Sequence, residues 1–115
     1  MTLNKRDLLS ITDLAPDQIR NVLSQAQNLK TGVRSTSLAG KSVVMLFEKP
    51  SLRTRVSFDV AVHQLGGHPI YMSRDEVGLG NRESVRDAAK VLSRYVDAIV
   101  ARTYYHQTLE ELASY

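Results

Sequence analysis

Apolar residues recur at helical spacing in several segments of the chain and form short continuous runs in others. The first helical segment covers residues 14–30, where Pro16 and Asp17 suit the first turn and Gly32 suits the end. Its apolar positions lie three and four residues apart and are Ile19, Val22, Leu23, Ala26 and Leu29. The spacing predicts an amphipathic helix.

Three short apolar runs, SVVMLF from Ser42, HPIYM from His68 and AIVAR from Ala98, have the composition of buried strands. Helical faces follow the first two runs: Val56, Val60, Ala61 and Leu65, ending at Gly66 and Gly67; then Val85, Ala88, Ala89, Leu92 and Val96, after a polar loop over residues 73–82. A last helix is predicted to open at Thr108, since Glu111 follows at the spacing of a capping box. The alternation predicts an α/β fold, a parallel sheet flanked by helices, with ligands beyond the carboxyl ends of the strands.

Length and composition exclude several classes of protein and of functional site. A chain of 115 residues is expected to form one domain over residues 1–115, and the absence of cysteine excludes disulfides, thiolate catalysis and cysteine zinc sites. No run has the length of a membrane span, and the start lacks the apolar core of a secretory signal, so a cytoplasmic protein without membrane contact is expected. A net charge of +3 with only five tyrosines and two phenylalanines gives little support for nucleic-acid binding.

The stretch FEKPSLRTRVSF gathers cations and hydroxyls where the first strand ends and a helix begins. A helix starting near Ser51 offers unpaired backbone N–H groups and the positive end of its dipole to an anion. Arg53 and Arg55 cannot point the same way from these positions, so one is expected to face a ligand while the other braces the structure against Asp59, one turn away. A serine before a helix is also commonly only an N-cap, and exposed arginines are commonly only solvated charge. Spacing alone leaves both interpretations open.

The longer segment FEKPSLRTRVSFDVAVHQLGG resembles the carbamoyl-phosphate-binding motif of the aspartate and ornithine carbamoyltransferases, Ser-Thr-Arg-Thr-Arg followed by Ser-Phe. The resemblance continues through GLGNRESVRDAAKVLSRYVDAIVAR and the first helix, and favours the ornithine enzymes. It implies that the chain is an incomplete N-terminal, carbamoyl-phosphate-binding domain of a two-domain enzyme. The complete enzyme would transfer the carbamoyl group of carbamoyl phosphate to ornithine, giving citrulline and phosphate.

The resemblance also implies roles for individual residues. Ser51, Arg53 and Thr54 would contact the phosphate and carbamoyl groups, and Leu52 would contribute its backbone N–H. Arg102 would be a second arginine that reaches the phosphate and the carbonyl oxygen. Arg53 and Arg102 would be catalytic, because fixed cations stabilise the charge that grows on the carbamoyl oxygen and on the departing phosphate. No metal, cofactor or covalent intermediate is required.

Two positions depart from the family pattern. Leu52 stands where the commonest motif has threonine, which removes a hydroxyl but keeps the backbone donor. Gly78 stands where many ornithine enzymes place a Gln or His that reaches a neighbouring subunit. The resemblance implies trimer-based homo-oligomers, and Gly78 puts that intersubunit contact in question.

The family pattern continues beyond these residues into a domain that binds ornithine, so the 115 residues alone are expected not to transfer carbamoyl groups. One rival is an aspartate carbamoyltransferase domain; against it, Asn81, Arg82 and Glu83 stand where aspartate enzymes usually have a Lys-Gly-Glu pattern. The other rival is a non-catalytic module that binds anions or another protein. Lys49 ranks behind Arg53 as an anion contact, and His106 follows the third strand closely enough to approach the site, with proximity as the only argument for it.

Overall fold

The computed structural model describes residues 7–77 and 84–115. Its contacts divide the chain into two compact units, Met1–Ser35 and Thr36–Tyr115. The first unit holds a short 3-10 helix, Ile11–Asp13, and helix α1, Pro16–Lys30. Helix α1 begins two residues later than predicted because Ala15 is extended and Pro16 takes the first helical position. The predicted apolar face is present, but Val22, Leu23 and Leu29 are exposed.

The second unit alternates strands and helices, as the sequence predicts. Its elements are β1 (Ser42–Phe47), α2 (Leu52–Gln64), β2 (His68–Ser73), α3 (Arg74–Val77), α4 (Val85–Tyr95), β3 (Ala98–Arg102) and α5 (His106–Ala113). The strands form a parallel sheet in the order β2-β1-β3. The predicted fold class, a parallel sheet flanked by helices, is therefore confirmed.

Strand β1 is the centre of the core because it is paired on both edges and buried on both faces. Residues Val43 to Phe47 are each at most 4% exposed. Val44 and Leu46 face the side on which Ala89 and Leu92 of α4 and Leu112 of α5 complete a buried cluster. Side chains alternate along a strand, so Val43, Met45 and Phe47 face the opposite side of the sheet. The sheet is thus covered by helices on the α4 and α5 face.

Helix α2 lies on the other face of the sheet. Tyr71 of β2 pairs in register with Met45, and its ring meets the ring of Phe47 edge-on. The Arg55 guanidinium of α2 stacks over the same Tyr71 ring. Helix α2 ends at Gln64, and Gly66 then takes a positive φ of 88°, where glycine avoids the strain of a side chain.

Three local predictions are wrong in detail. Thr108 does not open α5; the helix begins at His106, and the Thr108 N–H donates to the Tyr105 carbonyl within its first turn. The predicted loop at residues 73–82 contains helix α3 after Ser73, whose N–H and hydroxyl both donate to the Glu76 carboxylate. The third is the brace on Arg55: among the described residues no ion pair joins Arg55 to Asp59, and Arg55 contacts Tyr71 instead.

Candidate functional site

The candidate site lies at the carboxyl end of the sheet, between β1 and β3. Helix α2, which follows β1, covers one face of the sheet, whereas α5, which follows β3, packs into the cluster on the other face. Adjacent parallel strands whose following helices diverge in this way leave a crevice beyond their carboxyl ends, the usual place for a ligand in such sheets. The fold therefore brings the segments that carry these cations and hydroxyls to the edge of the sheet where such folds usually bind a ligand.

Two hydrogen bonds tie the segments on either side of this crevice together through Glu48. The Glu48 N–H donates to the Arg102 carbonyl at 2.8 Å, which continues the pairing of Phe47 with Arg102 in the sheet. The Glu48 carboxylate accepts from the Tyr104 N–H at 3.2 Å. Glu48 thus fixes the segment after β1 to the segment after β3, a role that the sequence did not reveal because the two segments are distant along the chain.

The first turn of α2 follows directly. Ser51 is its N-cap: the Ser51 hydroxyl accepts from the Thr54 N–H at 3.4 Å and donates to the Thr54 hydroxyl at 2.9 Å. Both hydroxyls are half-buried and adjacent. The capping interpretation of Ser51 is therefore correct, and it does not exclude ligand contact, because the Thr54 hydroxyl keeps its own proton to donate.

Backbone donors remain at this helix start. The Thr54 N–H is capped by Ser51 and the Arg55 N–H donates to the Ser51 carbonyl at 2.9 Å. Within the described part of the chain, the N–H groups of Leu52 and Arg53 have no hydrogen-bond acceptor. Because the first N–H groups of a helix point outward along its axis, these two are available to an anion at the N-terminus of α2.

The cations in the segments after β1 and at the end of β3 have two kinds of surroundings. The side chains of Arg53 and Arg102 are exposed, and within residues 7–77 and 84–115 neither forms an ion pair. Lys49 and Arg55 instead lie over aromatic rings: the Lys49 ammonium is 5.4 Å from the centre of the Tyr104 ring, and the Arg55 guanidinium carbon is 3.8 Å from that of Tyr71. The pairing leaves Arg53 and Arg102 as the cations best placed to meet a ligand.

The structure thus brings the sequence-predicted site residues to one corner. Ser51, Leu52, Arg53 and Thr54 form a single helical turn, and Arg102 ends the strand beside the one that leads to it. The Leu52 side chain is apolar and 78% exposed, so the backbone N–H is the group of this residue that can donate to a ligand. His106 begins α5 and is exposed. Gly78, Asn81, Arg82 and Glu83 lie outside the described residues.

The described helices contain none long and apolar enough to cross a membrane. This agrees with the charged and polar residues that interrupt every apolar run of the sequence.

Comparison with known proteins agrees with the motif. The sequence profile described as "Aspartate/ornithine carbamoyltransferase, carbamoyl-P binding domain" matches residues 6–115. The chain is 49% identical over 110 residues to an ornithine carbamoyltransferase of Methanocaldococcus jannaschii, covering 94% of this chain and 36% of that protein. It is 46% identical over 119 residues to the ornithine carbamoyltransferase of Halalkalibacterium halodurans, covering 100% of this chain and 37% of that protein.

Solved structures give the same result. The ornithine carbamoyltransferase of Pyrococcus furiosus superposes with a TM-score of 0.91 at 44% identity, over 100% of this chain and 38% of that one. The chain therefore spans little more than a third of the length of these relatives. The resemblance seen in the FEKPSLRTRVSF segment is confirmed across nearly all of the sequence: the chain belongs to the aspartate/ornithine carbamoyltransferase family, as its carbamoyl-phosphate-binding domain.

Proposed function

We propose that this chain is the carbamoyl-phosphate-binding part of an ornithine carbamoyltransferase that transfers a carbamoyl group to the δ-amine of ornithine. The observation that carries the proposal is the register of β1 with β3, which sets Arg102 beside the strand leading into the Ser51–Thr54 turn. Relatives named ornithine carbamoyltransferase, at 46–49% identity, support the choice of acceptor.

In this proposal the phosphate of carbamoyl phosphate sits at the N-terminus of α2. The N–H groups of Leu52 and Arg53, the Thr54 hydroxyl and the Arg53 guanidinium donate to its oxygens, since a planar guanidinium can bind two oxygens at once. The Ser51 hydroxyl joins them when its proton turns from Thr54 to the phosphate. Arg102 reaches across from the end of β3 to the phosphate and to the carbamoyl oxygen.

The reaction is a direct acyl transfer. The neutral δ-nitrogen of ornithine attacks the carbamoyl carbon, and negative charge grows on the carbamoyl oxygen. The bond from that carbon to the bridging oxygen then breaks, phosphate departs with the electron pair, and the nitrogen loses a proton to give citrulline. Cations held in place before the reaction stabilise the transition state more than the substrate, because charge on both oxygens increases along the path. Arg53 and Arg102 are the proposed catalytic residues.

The proposal also includes the setting in which the enzyme works. It acts in the cytoplasm, in arginine biosynthesis, as trimer-based homo-oligomers that share active sites, and it needs neither metal nor cofactor. Citrulline lies on the biosynthetic route to arginine, and the exposed apolar residues Leu52, Val56 and Val60 on α2 offer a surface for a neighbouring subunit.

A comparison of two ligands by titration calorimetry tests the binding step. The methylene analogue of carbamoyl phosphate, which cannot transfer its carbamoyl group, is compared with methylphosphonate, which lacks that group. A carbamoyl-phosphate site is expected to prefer the analogue by roughly 2- to 13-fold, the value of one further neutral hydrogen bond. Equal affinities would favour the rival, a general anion-binding module.

A second assay tests the division of labour between this domain and the ornithine-binding one. The 115-residue chain is mixed with carbamoyl phosphate and either ornithine or aspartate, and citrulline or carbamoyl aspartate is measured. Because the acceptor site is proposed to lie outside these residues, no sustained turnover is expected. Sustained formation of citrulline would contradict this, and carbamoylation of aspartate but not ornithine would favour the aspartate enzyme.

A further inference from the structure

The Arg55 side chain is held by an aromatic stack that connects the first turn of α2 to the core. Its guanidinium carbon lies 3.8 Å from the centre of the Tyr71 ring, close enough for face-on stacking. The Tyr71 ring in turn meets Phe47 edge-on, with ring centres 5.6 Å apart and an interplanar angle of 82°. Phe47 is 2% exposed and ends β1. The chain of contacts therefore runs from the fixed end of the central strand, through β2, to α2.

Position along the helix explains why Arg55 rather than Arg53 makes this contact. Side chains two positions apart on a helix, such as those of Arg53 and Arg55, are rotated by about 200° about the helix axis and so point to nearly opposite sides. With Arg55 directed at the sheet, Arg53 is directed away from it. The stack thus joins the side of α2 opposite Arg53 to the sheet, next to the turn that carries the proposed ligand donors.

We propose that Tyr71 is a positioning residue: by stacking under Arg55 it fixes the rotation of the Ser51–Thr54 turn and so orders that turn for its anion. The statement about ligand binding rests on the proposed function above, whereas the statement about the turn does not. The nearest backbone reporters are the Arg55 N–H, which donates to the Ser51 carbonyl, and the Thr54 N–H, which donates to the Ser51 hydroxyl.

Amide hydrogen exchange measured residue by residue tests the positioning role without any ligand. Tyr71→Leu removes the ring, Tyr71→Phe keeps it, and Arg55→Met keeps the aliphatic stem without the charge. We expect Tyr71→Leu and Arg55→Met each to speed exchange at Thr54 and Arg55 by roughly 2- to 5-fold relative to Leu65 at the other end of α2, the range of a partly exposed cation–aromatic contact. Tyr71→Phe should exchange like the unchanged chain.

The double variant separates the stack from general stability. If Arg55 and Tyr71 act through each other, Tyr71→Leu combined with Arg55→Met speeds exchange at Thr54 and Arg55 no more than Arg55→Met does alone, again relative to Leu65. Equal acceleration at Leu65 and at Thr54 in Tyr71→Leu would reduce Tyr71 to an ordinary packing residue and overturn the proposal. So would unchanged exchange at Thr54 and Arg55.

Calorimetry with the methylene analogue of carbamoyl phosphate tests the consequence for binding. We expect Tyr71→Leu to weaken binding by roughly 2- to 5-fold and Tyr71→Phe to restore it. Undiminished binding by Tyr71→Leu would refute the link to the ligand even if exchange changes. If the unchanged chain does not bind the analogue, the proposed function fails and the ligand part of this inference with it, while the exchange data still decide whether Tyr71 orders the turn.

Discussion

At the scale of single residues, the cations and hydroxyls around the start of α2 either have a partner within the chain or are available to a ligand. Lys49 and Arg55 lie over aromatic rings, and the Ser51 and Thr54 hydroxyls bond to each other. Arg53 is exposed and, within the part of the chain that the structure describes, makes no ion pair. Residue type alone therefore does not predict which arginine can meet a ligand, because Arg53 and Arg55 have different surroundings.

Leu52 gives the sharpest prediction at this scale. It stands where the family motif has threonine, and its side chain is 78% exposed, so replacement by threonine removes little packing. We expect Leu52→Thr to add a hydroxyl donor beside the phosphate and tighten binding of the methylene analogue by roughly 2- to 13-fold. Leu52→Val, which has a similar shape without the hydroxyl, is the matched control. Unchanged affinity in Leu52→Thr would show that the side chain at this position does not reach the ligand.

The residue scale also shows what sequence can and cannot predict. Ser51, Arg53 and Thr54 could be grouped from the sequence because they are neighbours in one turn, and helical geometry relates neighbours directly. Their contacts with a ligand stay a prediction. Tyr71 and Glu48 were missed because their partners are distant along the chain. Tyr71 on strand β2 contacts Arg55 on helix α2, and the Glu48 carboxylate accepts from the backbone N–H of Tyr104. Helical spacing suggested Asp59 as the brace on Arg55, and the tertiary contact with Tyr71 replaced it.

At the scale of elements, the start of α2 has two roles, capping a helix and offering donors to an anion. One pair of variants separates them. Ser51→Ala removes the cap and should lower the free energy of unfolding by about 0.5–2 kcal/mol. Ser51→Asp keeps an N-cap oxygen and suits the helix dipole, so stability should be maintained, but its negative charge should repel the phosphate and abolish binding.

Urea unfolding and calorimetry on both variants provide the measurement. The expected pattern is a less stable protein with weakened binding for Ser51→Ala and a stable protein without binding for Ser51→Asp. Retained binding in Ser51→Asp would mean that the anion does not sit at this helix start.

Element boundaries were predictable where one local signal dominates. Strand β1 runs from Ser42 to Phe47 as predicted, because a short apolar run that contains Val43 and Val44 and is bounded by polar residues suits a strand better than a helix. The start of α5 was not predictable in this way. Thr108 and Glu111 have capping-box spacing, but the chain already turns at Tyr105, whose carbonyl accepts from the Thr103 hydroxyl at 2.9 Å. The capping-box spacing was present at Thr108, but the turn at Tyr105, three residues earlier, determined the helix start.

At the scale of the whole molecule, packing in the core fixes the central strand β1, which leads into the candidate site. Val44 and Leu46 of the central strand pack against Ala89, Leu92 and Leu112, so α4 and α5 are anchored to the strand that leads into the site. The start of the sheet is fixed as well, since the Ser42 N–H donates to the Asp97 carboxylate at 2.9 Å. The two ends of β1 are thus tied to the neighbouring strand β3.

Leu112→Ala tests this core. Leu112 is 8% exposed, and its truncation should lower the free energy of unfolding by about 2–5 kcal/mol, because a cavity remains beside β1. Val91→Ala, at a position on α4 that is 51% exposed, is the control and should change stability by less than about 0.5 kcal/mol. Urea unfolding measures both. Equal effects would contradict the placement of α5 against the sheet.

In the proposed site, the Arg53 guanidinium at the start of α2 binds the phosphate of carbamoyl phosphate. Calorimetry with the methylene analogue tests this contact most directly on three proteins: the unchanged chain, Arg53→Ala and Arg94→Ala. Arg94 is an exposed arginine at the end of α4, so the two variants lose the same charge.

We expect Arg53→Ala to weaken binding by roughly 10- to 150-fold, the value of a hydrogen bond to a charged group, and Arg94→Ala to bind like the unchanged chain. Equal binding by Arg53→Ala and the unchanged chain would show that Arg53 does not hold the phosphate.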